Sequence, residues 1–442
     1  MTATITHPGA RSTTGPAARP LTLAGLLAVL VLIPLLLAAL SAESESAGLA
    51  AAVQAGVCAR GAGPLAALFA AEAVLLAGAT AAAYFLGSRR HWAAVTLRQY
   101  GWLALSLLAL IAAPFLIAWQ TDSSVCVRGQ AFFWQSIFIE AFILASLAIS
   151  YNLVFGFAGV LSFGHAAFFG LGAYTVGLLM LHLEWPLLPA VIAALLISLL
   201  TGLLVSVVAL RIHGLYFAIF TLTFAEIFYV LAQNRIMADI TGAEDGFTFA
   251  VPDWINATQN RLTFYYLALL FLVICYLLVR QLMNSPAGRV LHAIRDNENR
   301  ALSLGFNTFA YKTMAIVLGG VLASGAGVLR ALLNKGASPN VLSSTFTIDP
   351  LLMTLIGGVG TFNGPVIGAF LLRMVEYALR DSVITLGSFE LNIGEHWFLI
   401  LGTLFILIVI AFPSGITGTL RDWWRSRRQP LQKRAAAAGR DH

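Results

Sequence analysis

Charge is what this chain has least of. Only 10% of its 442 residues are Asp, Glu, Lys or Arg, where soluble domains carry about 25%. Lysine is the scarcest: Lys312, Lys335 and Lys433 are the full set, and none closes a G-x-x-x-x-G-K-[ST] run. The chain therefore has no phosphate-cradling P-loop of its own. Cys58, Cys126 and Cys275 are too few and too scattered for a metal cluster. These shortages exclude a soluble enzyme core, a P-loop nucleotide site and a cysteine-bound metal cluster. What is there instead is apolar: 59% of the residues are hydrophobic and the mean hydropathy is +0.85. The net charge of +6 is no sign of nucleic-acid binding, because the basic residues flank apolar runs.

Residues 1–20 are polar and read as a disordered tail. Leu21–Leu40 is long enough to span a bilayer, or else to serve as a signal peptide ending near Ser41. Further spans are expected at Pro64–Leu86, Gly101–Trp119, 132–153, 165–183, 187–209, 214–233, 262–281, 311–333, 342–358, 362–380 and 397–413. The fold class is an all-α polytopic membrane protein with about 12 transmembrane helices. Two of the spans, 165–183 and 342–358, are short or glycine-broken and are expected to be partly re-entrant. Placing both termini inside puts Arg89, Arg90, Arg98, Arg211, Arg280, Arg289, Arg295, Arg300 and the basic tail 421–442 on the inner side, as the positive-inside bias requires. Cys58 and Cys126 then share the outer face, in the similar segments Val57–Gly61 and Val125–Gly129. An oxidising compartment there would permit a disulfide; the alternative is two separate thiols. Cys275 falls mid-span and reads as packing.

The middle of the chain is organised around Asn152–Gly177, where Gly156, Gly159, Gly164, Gly170, Gly172 and Gly177 interrupt an apolar run that also holds Ser162, His165, Tyr174 and Thr175. Glycine inside a helix costs about 1 kcal/mol relative to alanine in water. In a membrane, small residues let helices approach, and broken backbone is tolerated where protein covers it. The stretch reads as a helix end, a break and a new helix. His165 has no neighbour at metal-ligand spacing and is expected to hydrogen-bond a carbonyl freed at the break. A second glycine-rich segment, Leu355–Ala369, holds Gly357, Gly358 and Gly360, and its G-x-x-G opening echoes Gly156–Gly159. Glu72, Glu140, Glu226, Glu376 and Arg373 fall inside spans, where charges need a partner or a cavity. Arg373 and Glu376 are spaced to pair locally. Glu226, beyond Thr221 and Thr223, either lines a route or bonds another helix.

The longest inside loop, 284–305, predicts an amphipathic helix. Ser285 is a hydroxyl N-cap, Pro286 a first-turn proline and Gly305 a stop. Such a helix either lies on lipid headgroups or docks into a cytoplasmic partner.

Six stretches in order resemble the M-type permease subunit of branched-chain (hydrophobic) amino-acid ABC importers. Asn152–Thr175 is similar to the family's N-L-x-x-G-x-A-G-x-L-S-x-G-H-A-A-F-F-G-x-G-A-Y-T. The others are Leu210–Glu226, Thr241–Gly246 (with Ala243 where the family usually has glycine), Ala293–Gly305, Leu355–Ala369 and Phe412–Gly418. The resemblance spans Trp134–Leu420. It implies a permease core over 132–420 carrying about nine of the transmembrane helices, preceded by about three extra ones in 21–131. In that core 286–305 is the coupling helix that meets an ATPase, with Arg295, Asp296 and Glu298 fixing its angle and Ala301 and Gly305 in the pattern of ABC-importer permeases. The translocation core and helix break would involve Gly156, Gly159, Ser162, Gly164, His165, Tyr174, Thr221, Glu226, Gly357, Gly358 and Gly360.

The implied partners are a second homologous permease, two ATP-binding cassette subunits that hold ATP and Mg, a periplasmic binding protein and the lipid bilayer, with no nucleic acid. The implied setting is a bacterial inner membrane with both termini cytoplasmic. No cofactor, metal or catalytic residue is expected in this chain. Urea or a short amide remains an alternative substrate, and a proton-coupled carrier using Glu140, Glu226 or Glu376 an alternative class.

Overall fold

The computed structural model describes residues 92–121, 129–212, 214–258, 260–380, 383–386, 389–392, 397–412 and 414–419, together with Val74. The expected span Leu21–Leu40, nearly all of Pro64–Leu86, Cys58, Cys126 and the tail 421–442 lie outside these residues. The chain divides into two compact units, Met1–Trp134 and Gln135–His442. The first contains α1 (Trp92–Gln120), a 29-residue helix with Pro114 inside it.

The second unit is helical almost throughout, as the apolar runs predict. It begins within α2 (Gln130–Asn152), which continues as a π-turn, Leu153–Phe157. Then come α3 (His165–His182), α4 (Leu187–Ala209), α5 (Leu215–Gln233) and α6 (Arg261–Asn284). Two short helices, α7 (Pro286–Asp296) and α8 (Glu298–Ser303), precede the 27-residue α9 (Thr308–Asn334). The unit closes with α10 (Thr345–Gly357), α11 (Gly364–Arg380) and α12 (Trp397–Ala411). Among the described residues 6 helices are long and apolar enough to cross a membrane, counting α2 with its π-turn, and they are α2, α3, α4, α5, α6 and α9.

The core sits where α9 lies between α3 and α4. Its residues 318–327, L-G-G-V-L-A-S-G-A-G, include four glycines, two alanines and a serine. A Cβ at Gly327 would meet the Phe169 carbonyl oxygen, and one at Gly172 of α3 would meet that of Ser324. Ser198 of α4 donates to the Gly320 carbonyl at 2.9 Å. Apolar surface gives little drive for association inside lipid, so close backbone approach and interhelical hydrogen bonds hold these helices together.

Two tiny strands tie the loops at one end of the bundle: β1 (Phe247–Thr248) pairs antiparallel with β2 (Gly336–Ala337), with Phe247 opposite Ala337. Nearby, the Thr241 hydroxyl donates to the carbonyls of Ala232 and Met237 and holds the loop after α5, which carries Asp239, Glu244 and Asp245, in a turn. A further hairpin joins β3 (Val383–Leu386) to β4 (Phe389–Asn392). After β2 the chain runs through a buried 3-10 turn, Pro339–Leu342, before α10 starts. With 13 residues, α10 is about 20 Å long, short of the about 30 Å of a bilayer core. The irregular approach before it is covered by α3 and α5, as broken backbone at membrane depth requires.

Candidate functional site

The glycine-rich stretch breaks as its composition predicts. The π-turn ends with Ala158 donating to the Leu153 carbonyl, 3.2 Å, and Val160 to that of Val154, 3.0 Å. Residues 158–164 are not helical, so side chains from elsewhere must satisfy their backbone. Thr221 of α5 accepts from the Phe163 amide at 3.0 Å. Thr347 of α10 accepts from the Ala166 amide at 2.9 Å and donates to the Phe163 carbonyl at 3.1 Å. Ser162 accepts from the Gly164 amide at 3.3 Å, and a Cβ at Gly164 would press on the Thr221 carbonyl. The break is a cross-braced joint between α2 and α3, held by α5 and α10.

The second glycine segment, between α10 and α11, meets the first. Asn152, the last residue of α2, donates to the Thr361 carbonyl at 2.9 Å and accepts from the Gly360 amide at 2.9 Å. Thr361 accepts from the Gly364 amide at 3.1 Å, and Thr417 donates to the Gly357 carbonyl at 2.5 Å. Gly360 has φ +71° and Gly159 φ +72°, a region open to glycine at no steric cost. Both face Arg295: a Cβ on Gly159 would lie against its side chain, and one on Gly360 against its guanidinium.

Arg295 is the convergence point. It stands in the last turn of α7, and its Nη1 donates to the Gly156 carbonyl at the π-turn. The expected helix 286–305 is in fact two, because Asn297 adopts extended backbone and caps α8 by accepting from the Arg300 amide at 2.9 Å. Ser285 caps α7 as predicted, accepting from the Gly288 amide at 3.4 Å. Gly305 (φ +85°) closes α8, with its amide on the Leu302 carbonyl and that of Phe306 on the Ala301 carbonyl. Of the charges expected to fix a docking angle, Arg295 is engaged inward and Glu298 pairs with Lys312 at 2.6 Å, while Asp296 is exposed. The apolar residues divide. Leu291, Ile294 and Ala301 are buried, whereas Leu302 and Leu304 are 51% and 69% exposed, with Phe306 and Phe309 open beside them. His292 packs edge-on against Phe157 of the π-turn, centroids 5.6 Å apart. Partial desolvation against the π-turn first, and then the nearby Arg295 charge, lower its pKa from the ordinary histidine value, with Asp296 opposing them.

Other expected residues fall elsewhere. His165 is buried and packs edge-on against Tyr151, 5.0 Å between centroids. Neither of its ring nitrogens makes a hydrogen bond of ordinary geometry, although the Ser150 carbonyl is the backbone group beside it. At the break the Phe163 carbonyl is met by Thr347 and the Gly156 carbonyl by Arg295, while Thr221 serves the Phe163 amide. Tyr174 stacks edge-on against Phe247, 5.6 Å away. Arg373 and Glu376 pair at 2.6 Å as their spacing predicts. Glu140 is no isolated acid: it bridges Arg330, at 3.1 Å, and Arg373. These four charges tie α2, α9 and α11 together. Glu226 lies on the exposed face of α5. Asn152, Thr347 and Thr417 received no role from the sequence. Asn152 opens the glycine motif and carries a side chain able to donate and accept at once, which is the signal that was there to use.

The arrangement joins two glycine-rich turns to a surface helix pair and is suited to passing a displacement from one to the other.

Residues 134–410 match the family described as branched-chain amino acid transport system / permease component. Relatives include the high-affinity branched-chain amino acid transport system permease protein LivM of Salmonella typhimurium, 28% identical over 73% of this chain and 75% of its own length. Its Escherichia coli counterpart is 28% identical with the same coverage. The high-affinity branched-chain amino acid transport system permease protein LivH of Salmonella typhimurium is 25% identical over 62% of this chain and 91% of its own length. No solved structure matches the chain.

Proposed function

Because the chain belongs to the family of branched-chain amino acid transport permease components, we propose that it is the M-type permease subunit of an ATP-driven importer for leucine, isoleucine and valine. The observation that carries this reading is the Arg295 link. A surface helix pair with exposed Asp296, Arg300, Leu302 and Leu304 is joined through one guanidinium to the π-turn at Gly156. A push on α7–α8 from a closing ATPase pair would reach the joint between α2 and α3 by that route, and through Asn152 the joint between α10 and α11. The chain itself does no covalent chemistry; ATP and Mg belong to the two cassette subunits. Similarity to both LivM and LivH relatives supports a second homologous permease beside it. A periplasmic binding protein would select the amino acid, which accords with a site made of glycines and backbone ties. The end of the bundle bearing α7–α8 faces the cytoplasm of a bacterial inner membrane, as do both termini.

The test is uptake of labelled leucine by proteoliposomes holding the whole set of subunits with ATP inside. Uptake is expected to need this chain, the ATPases and the binding protein, and to be competed by isoleucine and valine but not by urea. Uptake by this chain alone, driven by a proton gradient, overturns the proposal.

A further inference from the structure

The open faces of the long helices differ in chemistry. α4 turns Leu196, Leu200, Leu203, Leu204 and Val207 outward, and α6 turns out Leu270, Ile274 and Leu278. Both faces are aliphatic and suited to lipid tails. α5 also exposes Ile219, Ile227 and Val230, but sets Thr223 and Glu226 among them. Residues 219, 223, 226 and 230 follow one another at helical i+4 and i+3 steps and form a single stripe. Glu226 lies near the middle of α5, at a depth where an ionisable side chain is strongly disfavoured unless a partner or cavity meets it. Glu140, Arg330, Arg373 and Glu376 pair with one another, and Asp349 of α10 is half-buried within the bundle. None of the ion pairs among the described residues involves Glu226.

We propose that this stripe is where the second permease chain docks within the bilayer, and that the partner presents a hydrogen-bond donor to Glu226. The inference rests on the importer reading above. Polar complementarity argues for a protein occupant over lipid. The choice of occupant follows from the relatives. A LivH-type permease aligns over 91% of its own length with only 62% of this chain, and the family match begins at residue 134. The N-terminal segment is therefore an addition to the shared core, and the second permease is the membrane partner that the importer reading supplies for a polar stripe on that core. The face also has a mechanical consequence. Thr221, on the opposite side of α5, holds the Phe163 amide at the helix break, so a shift at the interface reaches the joint through one helix diameter.

The experiment places the photoreactive residue p-benzoylphenylalanine at Val230, and separately at Leu200 of α4 as control, in the complete transporter in membranes. Co-purification of the second permease on a tag is read independently. Crosslinking to the second permease is expected from position 230 and not from 200. Glu226→Leu is expected to lower co-purification several-fold, and Glu226→Gln, which keeps an acceptor, to retain most of it. If the second permease co-purifies with the wild-type chain but position 230 crosslinks only to lipid or to residues 1–130 of this chain, the docking face is wrong while the importer reading stands. Ready labelling of Thr223→Cys by a membrane-impermeant maleimide in the assembled complex also overturns it, in favour of an aqueous passage. If no second permease co-purifies with the wild-type chain, the importer reading itself falls, and the proposal with it.

Discussion

Arg295 is exposed along much of its length yet spends its guanidinium on a backbone carbonyl. A hydrogen bond to a charged group contributes about 1.5–3 kcal/mol, and tenfold in an equilibrium is about 1.4 kcal/mol. Arg295→Met is accordingly expected to lower ATP-driven uptake about tenfold or more, with insertion and co-purification of the other subunits unchanged. Arg295→Lys should recover part of it, since an ammonium can reach the Gly156 carbonyl without filling the space beside Gly360. Wild-type uptake by the Met variant would show that the link carries no displacement. His292 makes a second prediction. Its folded pKa is lowered, below an unfolded value of about 6.5. The neutral ring's contribution to stability is complete above that value and is lost as pH falls toward the folded pKa. Melting temperature measured between pH 7.5 and 5 should decline in the wild type, and His292→Phe, which keeps the contact with Phe157 and cannot titrate, should flatten that decline.

At the scale of elements, helix boundaries were largely legible. The spans expected at 187–209 and 214–233 are observed as Leu187–Ala209 and Leu215–Gln233, because long apolar runs between polar turns leave the backbone one way to satisfy itself in lipid. The loop helix was legible at its ends, where Ser285, Pro286 and Gly305 act locally. Its division at Asn297 was missed because an apolar face was traced across a residue that caps. The role of 318–327 in α9 was also missed: a glycine's use in packing depends on what approaches it. Gly327→Val is expected to cost about 1–3 kcal/mol by overpacking, since its Cβ would strike the Phe169 backbone. This should appear as a melting temperature several degrees lower in detergent. Gly402→Leu on α12, where a Cβ meets nothing within 4 Å, should leave it unchanged.

For the whole molecule, the positive-inside bias and the bundle's connectivity make one claim together. The end with α7, α8 and both glycine-rich turns is expected to face inward, and the end with β1 and β2 outward. In a cysteine-free background, Asp245→Cys should react with a membrane-impermeant maleimide in intact cells, and Asp296→Cys only after permeabilisation; the reverse pattern would invert the topology. Composition alone determined that this protein lives in a membrane as a bundle of helices, and the glycine pattern determined where α2 breaks. Those properties depend on local covalent and solvation preferences, which every window of sequence carries. Only the tertiary structure decided that Asn152 would clamp Gly360 and Thr361, that Arg295 would reach Gly156, that Glu140 would serve two arginines, and that His165 would sit among aromatic rings. Each of these joins residues far apart in the chain, and such meetings are set by how helices cross and how closely glycines let them approach.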